Sequence, residues 1–380
     1  TPGIHVNLVS LLVLSFSPLL LQITSPVILG VYIISLAITH TFLDTLPSIY
    51  LGAPDESTAL NVLPGHRLLI KGEGHNAVIY TIIGYFGYLL LGAILFTIFI
   101  LSMQKADSFV SQYIGLFLIL IMTYMILREK KKKLKSLAAF LLSGCLGLIV
   151  FNLPNMQQPL FPLLSGLFGF SLLLLSLSQT SKIPPQNLHQ PLNINKKNFA
   201  KSIYAASGMG FIAAFLPGFG SSQAAIIATN IVGDIGDEGF LCLVGGINTA
   251  NMLISIATAY ILNKSRNGAI LVVNELIGSV GFEEMLLFLV VSLVAGAIAT
   301  ILTLSISKIF AKWIVKVNYN SLVWGIMIFV TLMTVYFDGF LGISILLVST
   351  AMGIVTSQWG IGKNHLMGCL VLPVILYFVL

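Results

Sequence analysis

The sequence predicts an all-α polytopic membrane protein made of two inverted-topology repeats, with helices broken at Pro-Gly turns and with re-entrant segments. Three observations carry this: an apolar composition, long unbroken apolar windows, and an order of segments that recurs. Of 380 residues, 57% are hydrophobic and only 8% are charged, too few charges to cover a soluble fold of that size. The windows 108–127, 136–153, 159–178, 284–307, 320–337 and 339–357 approach the ~20 apolar residues that cross a hydrocarbon core about 30 Å thick. They are continuous instead of alternating, unlike the strands of a membrane barrel.

The formal charge of +6 does not point to nucleic acid. The basic residues cluster at segment ends: Arg128, Lys130 to Lys133 and Lys135; Lys182, Lys196, Lys197 and Lys201; Lys308, Lys312 and Lys316. Clusters of this kind mark cytoplasmic loops, with the lipid bilayer as the surrounding partner. Cys145, Cys242 and Cys369 are scattered through apolar segments; no pairing or metal spacing relates them, and they read as packing residues.

The recurrence starts at two turns, Pro2-Gly3-Ile4-His5 and Pro217-Gly218-Phe219-Gly220. Ser143-Gly144-Cys145-Leu146-Gly147-Leu148 matches Ser349-Thr350-Ala351-Met352-Gly353-Ile354, and Leu163-Leu164-Ser165-Gly166 matches Leu366-Met367-Gly368. His40-Thr41 falls opposite Asn248-Thr249, and Gly74 to Val78 opposite Arg266 to Ile270. The division is a first repeat over 1–178, a cytoplasmic linker over 179–201 rich in Pro, Asn and Gln, and a second repeat over 202–380. An apolar stretch from Ile203 to Leu216 leads into the second turn, so the alignment predicts a leading helix that the first repeat lacks. Placing all three basic clusters inside makes 284–307 run inward and its counterpart 76–102 run outward. The copies are therefore inverted, the plan by which many secondary transporters alternate access.

Pro-Gly interrupts a helix because proline lacks an N–H and glycine accepts unusual backbone angles. At membrane depth such a break must face a cavity. A half-helix restarting after each break, at Asn7 and near Ser221, offers free amides and partial positive charge to a carboxylate or phosphate. An ordinary proline kink is the plainer alternative. The substrate-binding candidates are Pro2, Gly3, His5 and Asn7 in the first half, and Pro217, Gly218, Gly220, Ser221 and Ser222 in the second, with Asn248 and Asn251. His40, Thr41 and Asp44 form a second belt; His40 and Asp44 are four apart and share a helix face. Ionisable groups at membrane depth are costly and mark ion or proton paths, although a helix already at the interface would also accommodate them. Between 47 and 76, Pro, Gly and acids forbid a simple span. Asp55 and Glu56 either cap a helix near Ser57 or line a re-entrant loop beside Arg67, which would attract an anion. His40, Thr41, Asp44, Asp55 and Glu56 are thus the ion-coupling candidates.

Enzyme signals are weak. Asp234, Asp237 and Glu238 resemble half of an acidic Mg²⁺ cluster for prenyl phosphates, but flanking glycines suit a solvated turn better. Glu275, in the apolar stretch 268–280, is a candidate buried acid, and Glu283-Glu284 a helix cap. No metalloprotease, P-loop or dinucleotide motif occurs.

The segments His40-Thr41-Phe42-Leu43-Asp44-Thr45-Leu46-Pro47, Leu51-Gly52-Ala53-Pro54-Asp55 and Leu63-Pro64-Gly65-His66-Arg67 resemble the archaeal branch of the large membrane subunit of tripartite tricarboxylate transporters. The turns at Pro2-Gly3 and Pro217-Gly218 fit the same family. The resemblance implies a non-enzymatic, ion-coupled permease of di- or tricarboxylates in the plasma membrane. It also implies a small membrane subunit and an extracytoplasmic binding protein as partners. The sequence departs from the bacterial pattern at His5 and across Gly246 to Asn251. The expected function is secondary transport of a small organic anion by alternating access, coupled to H⁺ or Na⁺ with no other cofactor. A flippase for an anionic polyprenyl-phosphate lipid and a membrane enzyme acting on such a lipid are the alternatives, and a homodimer is left open.

Overall fold

A computed structural model describes residues 6–51, 62–129, 132–154, 156–177, 183–193, 195–215, 221–263, 267–316 and 319–379. All regular structure among the described residues is helical.

Helix α1 (Val6–Ser15) and a single turn, α2 (Ser17–Leu20), lead to α3 (Pro26–Leu43). The start of α3 is set by Ser25, whose side chain accepts the Ile28 amide, and by Pro26 with its fixed φ. A π-turn over Pro47–Leu51 prolongs α3, and α4 (Val62–Ile70) follows. Helix α5 (Gly74–Arg128) joins two apolar stretches, Gly74–Met103 and Gly115–Arg128. Next come α6 (Lys133–Asn152), α7 (Leu160–Leu164), a π-turn over Ser165–Phe170, and α8 (Ser171–Leu177). The second half holds α9 (Lys196–Phe215), α10 (Ser221–Val232), α11 (Gly236–Leu262), α12 (Gly268–Ile277), α13 (Phe282–Ile314) and α14 (Tyr319–Gln358). A 3₁₀ turn over Lys363–Met367 and α15 (Gly368–Val379) end it. Helix α14 breaks at Gly339, whose φ of 60° and ψ of −147° suit glycine alone. Six helices among the described residues are long and apolar enough to cross a membrane. The chain is an all-α polytopic membrane protein.

Contacts between the halves are reciprocal. Helix α3 packs on α13, and α11 packs on α5 and α9. Likewise α6 packs on α15, while α14 packs on the rod formed by α7, the Ser165–Phe170 turn and α8. The last two crossings match atom for atom. A Cβ at Gly147 would overlap the Cys369 carbonyl, and one at Gly353 would overlap the Leu167 carbonyl. A Cβ at Gly368 would strike the Phe140 carbonyl, and one at Gly166 the Leu346 carbonyl. The register that pairs Gly147 with Gly353 also pairs Phe140 with Leu346; the register that pairs Gly166 with Gly368 pairs Leu167 with Cys369. Each half therefore inserts the same arm against the other. Small residues are needed because helix backbones meet there at van der Waals distance.

One expected match fails. Gly74 to Val78 opens the long α5, whereas Asn267 caps the ten-residue α12, its side chain accepting the Ile270 amide. The short helices α4 and α12, each ending before a positive-φ glycine (Gly72 and Gly278), are the better counterparts.

The chain from Ile183 to Asn193 is strapped over the α4–α5 corner. Gln186 Oε1 accepts the Gly74 amide at 2.8 Å, and its Nε2 donates to Leu69 O at 3.0 Å. The Asn187 amide donates to Gly72 O at 2.9 Å, Gln190 Nε2 to Glu73 Oε1 at 2.8 Å, and the Asn193 amide to Tyr80 Oη at 2.9 Å. Helix α9 begins at Lys196, so regular structure starts before the expected linker end at 201.

Candidate functional site

Helices α9 and α10 pack together as a hairpin. Ser202 Oγ donates to Gly239 O at 2.9 Å, and further on Gly210 abuts Ala250, so α9 runs alongside α11 in the same direction. Lys201 Nζ donates to Val232 O, which returns the end of α10 to the start of α9. The residues that join the two helices, 216–220, lie outside the described residues. Ser221, the first residue of α10, is buried. Ser222 lies in α10 and Asn7 in α1. Pro2, Gly3, His5, Pro217, Gly218 and Gly220 lie outside the described residues, as do Asp55 and Glu56.

The two polar belts meet across α5. Asn248 and Thr249 are buried midway along α11, and Asn251 is partly buried. His40, Thr41 and Asp44 are partly buried near the end of α3. Between them stands Tyr85 of α5, fully buried. Its ring lies 4.9 Å from that of Phe42, its side chain approaches Asn248, and Asp44 is near enough to act on it electrostatically. Gly84 and Gly245 make this possible, since a Cβ on either would overlap backbone of the facing helix. Tyr88 is buried one turn on, beside Gly246. Sequence reasoning missed both tyrosines, because an aromatic in an apolar run looks like ordinary core. Thr41 Oγ1 donates to Ala37 O and Thr249 Oγ1 to Gly245 O. Their protons serve their own helices, leaving only lone pairs for a ligand.

Several expectations are corrected. Arg67 does not stand free to attract an anion; it pairs with Asp237 at the start of α11. Asp234 accepts the Gly236 amide within its own exposed turn, in keeping with the solvated-turn reading. Glu275 is exposed, not a buried acid. Cys145 is exposed, while Cys242 and Cys369 are buried. A polar group unforeseen in the sequence lies outside the spans: Lys363 Nζ donates to Ser171 Oγ at 2.6 Å. Burial pulls the Lys363 ammonium down to about 7.

A helical bundle with several helices long and apolar enough to cross a membrane, and with a buried polar belt, suits a membrane permease. The family model of the tripartite tricarboxylate transporter TctA family matches residues 1–368, and the chain belongs to that family. An uncharacterized protein of Methanocaldococcus jannaschii is 29% identical over 388 residues, covering 99% of this chain and 94% of its own length. No solved structure matches the chain.

Proposed function

We propose that this protein is an ion-coupled secondary transporter of small organic anions, of di- or tricarboxylate type, working by alternating access in the plasma membrane. The observation that carries the reading is the α9–α10 hairpin, with Ser221 buried at the start of α10 beside a helix that buries Asn248 at mid-length. A half-helix start offers unpaired amides to a carboxylate, and a buried asparagine supplies two donors and an acceptor without a charge to desolvate. Asn7, Ser222 and Asn251, with the two Pro-Gly turns, complete the proposed substrate shell. His40, Thr41 and Asp44, with Asp55 and Glu56, are the proposed groups for a coupling H⁺ or Na⁺.

The basic clusters support a reading in which the end of α13 and the start of α6 face the cell interior. The contact between the start of α5 and the end of α13, described below, agrees with that placement. The family also supports a small membrane subunit and an extracytoplasmic binding protein as partners. The reading is tested by the melting temperature of the purified chain with citrate, succinate and polyprenyl phosphate, each with and without Na⁺. Ligand binding to the folded state raises that temperature by mass action. A shift with a carboxylate supports the proposal; a shift with the lipid phosphate alone transfers it to a flippase.

A further inference from the structure

Three elements bring their polar groups together at the end of the bundle where the basic clusters lie. Tyr50 comes from the π-turn after α3, His75 from the first turn of α5, and Ser307 from the last third of α13. All three are buried, at 1%, 3% and 0% exposure. His75 Nδ1 lies 2.8 Å from Ser307 Oγ, and Ser307 Oγ lies 3.0 Å from Tyr50 Oη. Tyr50 Oη also donates to the Ser307 carbonyl at 3.2 Å. Gly74 is tight against both the Tyr50 ring and Gln186, so the strap closes directly over the group.

We propose that this His75–Ser307–Tyr50 chain is the proton-binding site of the transporter, a deepening of the coupling role that rests on the transport reading above. The Nδ1–Oγ–Oη chain keeps its hydrogen bonds in both protonation states of Nδ1. With His75 neutral, Ser307 Oγ donates to Nδ1 and Tyr50 donates to the Ser307 carbonyl. When a proton from water binds Nδ1, the imidazolium donates to Ser307 Oγ. The serine proton then swings to Tyr50 Oη, while the tyrosine proton stays on the carbonyl. One hydroxyl rotation absorbs the change, and no covalent bond other than the new N–H is formed. A buried histidine without such a chain would lose a partner on protonation and stay in one state.

The charged and titratable groups facing His75 define its control. Lys308 follows Ser307 on α13, and His189 faces it from the strap; both act on the imidazole electrostatically. Glu73 lies two residues before it and holds Gln190. Moving the strap away would admit water to His75, which couples proton entry to the inner face of the bundle.

The first test needs no substrate. Histidine C2 hydrogen–deuterium exchange, read by mass spectrometry on the full-length chain in detergent, follows each imidazole from about pH 5 to pH 8, the window of ordinary histidine titration. The expected result is a His75 titration inside that window. Its midpoint should move by about one pH unit in Ser307→Ala and return in Ser307→Thr. A His75 that never titrates, or that ignores Ser307→Ala, overturns the proposal. The second test uses citrate as probe in proteoliposomes under an imposed pH gradient. His75→Gln should abolish gradient-driven accumulation yet retain downhill exchange. Equal accumulation in wild type and His75→Gln, or accumulation driven by Na⁺ alone, overturns the proton site. If wild type moves no citrate while His75 titrates as described, the proton site stands and the carboxylate reading is what fails.

Discussion

Lys132 and Asp338 occupy equivalent corners of the two halves, and each holds a loop of the opposite half. Lys132 Nζ donates to Gly360 O at 2.8 Å, whereas Asp338 Oδ1 accepts the amides of Gln157 and Gln158 at 2.8 and 3.0 Å. The register that aligns Gly147 with Gly353 aligns these two residues also. A cation binding a carbonyl at one corner has become an anion binding amides at the other. That exchange suits inverted copies in one membrane, because cytoplasmic ends favour Lys and Arg.

Asp338 is nearly buried, and its two amide bonds are charge-assisted. Asp338→Ala should lower unfolding stability by about 1.5–3 kcal/mol, and Asp338→Asn by less, since the amide oxygen still accepts. Chemical denaturation in detergent micelles measures both. Equal losses would mean that the charge contributes nothing at this corner.

The paired glycine crossings should respond as a pair. Gly147→Ala and Gly353→Ala each place a methyl group against a carbonyl of the facing rod and should each cost about 1–3 kcal/mol, the usual penalty of overpacking. Gly325 has open space around it, so Gly325→Ala should be nearly neutral in the same thermal melts. A tolerated Gly147→Ala would contradict the close packing described.

Lys363 predicts a pH dependence with a definite sign. Its folded-state pKa, about 7, lies below the ordinary lysine value of 10.5 because burial disfavours the charge. Below pH 7 the ammonium is charged in both folded and unfolded chains, and the folded state bears the full desolvation cost. Between pH 7 and about 10.5 the unfolded chain binds more protons, so stability rises with pH across that window. Lys363→Met should flatten the rise in a melting-temperature profile. A profile unchanged by Lys363→Met would show that another group is responsible.

Arg67 and Asp237 are 54% and 25% exposed, and solvent screens such a pair. Replacing either by Ala should cost less than about 1 kcal/mol in a denaturant titration, with a double-mutant coupling below the same limit. A loss of several kcal/mol would mean that the pair does more than tie α4 to α11.

What the sequence disclosed follows the physics of each feature. Apolar continuity revealed α6, α13 and α14 among the spans, whereas the windows 108–127 and 159–178 correspond to shorter apolar helices; the small-residue repeats at Gly147 and Gly353 revealed the register of the two arms, because backbone contact leaves little choice of residue. The partners of Arg67 and His75 were invisible: Asp237 and Ser307 come from the other half, and nothing local marks them. Tyr85 hid because a tyrosine joining two polar belts and a tyrosine filling a core are the same letter in an apolar run. Glu275 misled in the opposite sense, since an acid in a ten-residue amphipathic helix needs only the exposed face.

The central claim is gradient-driven transport through the site beside α11. Its most direct test is accumulation of labelled citrate and succinate by proteoliposomes holding the purified chain, under imposed proton or sodium gradients, with and without its family partner subunits. Wild type should accumulate a carboxylate uphill. That accumulation should be lost in Asn248→Leu, a variant that should still melt cooperatively. Accumulation of no carboxylate under either gradient, or full activity in Asn248→Leu, would contradict the claim.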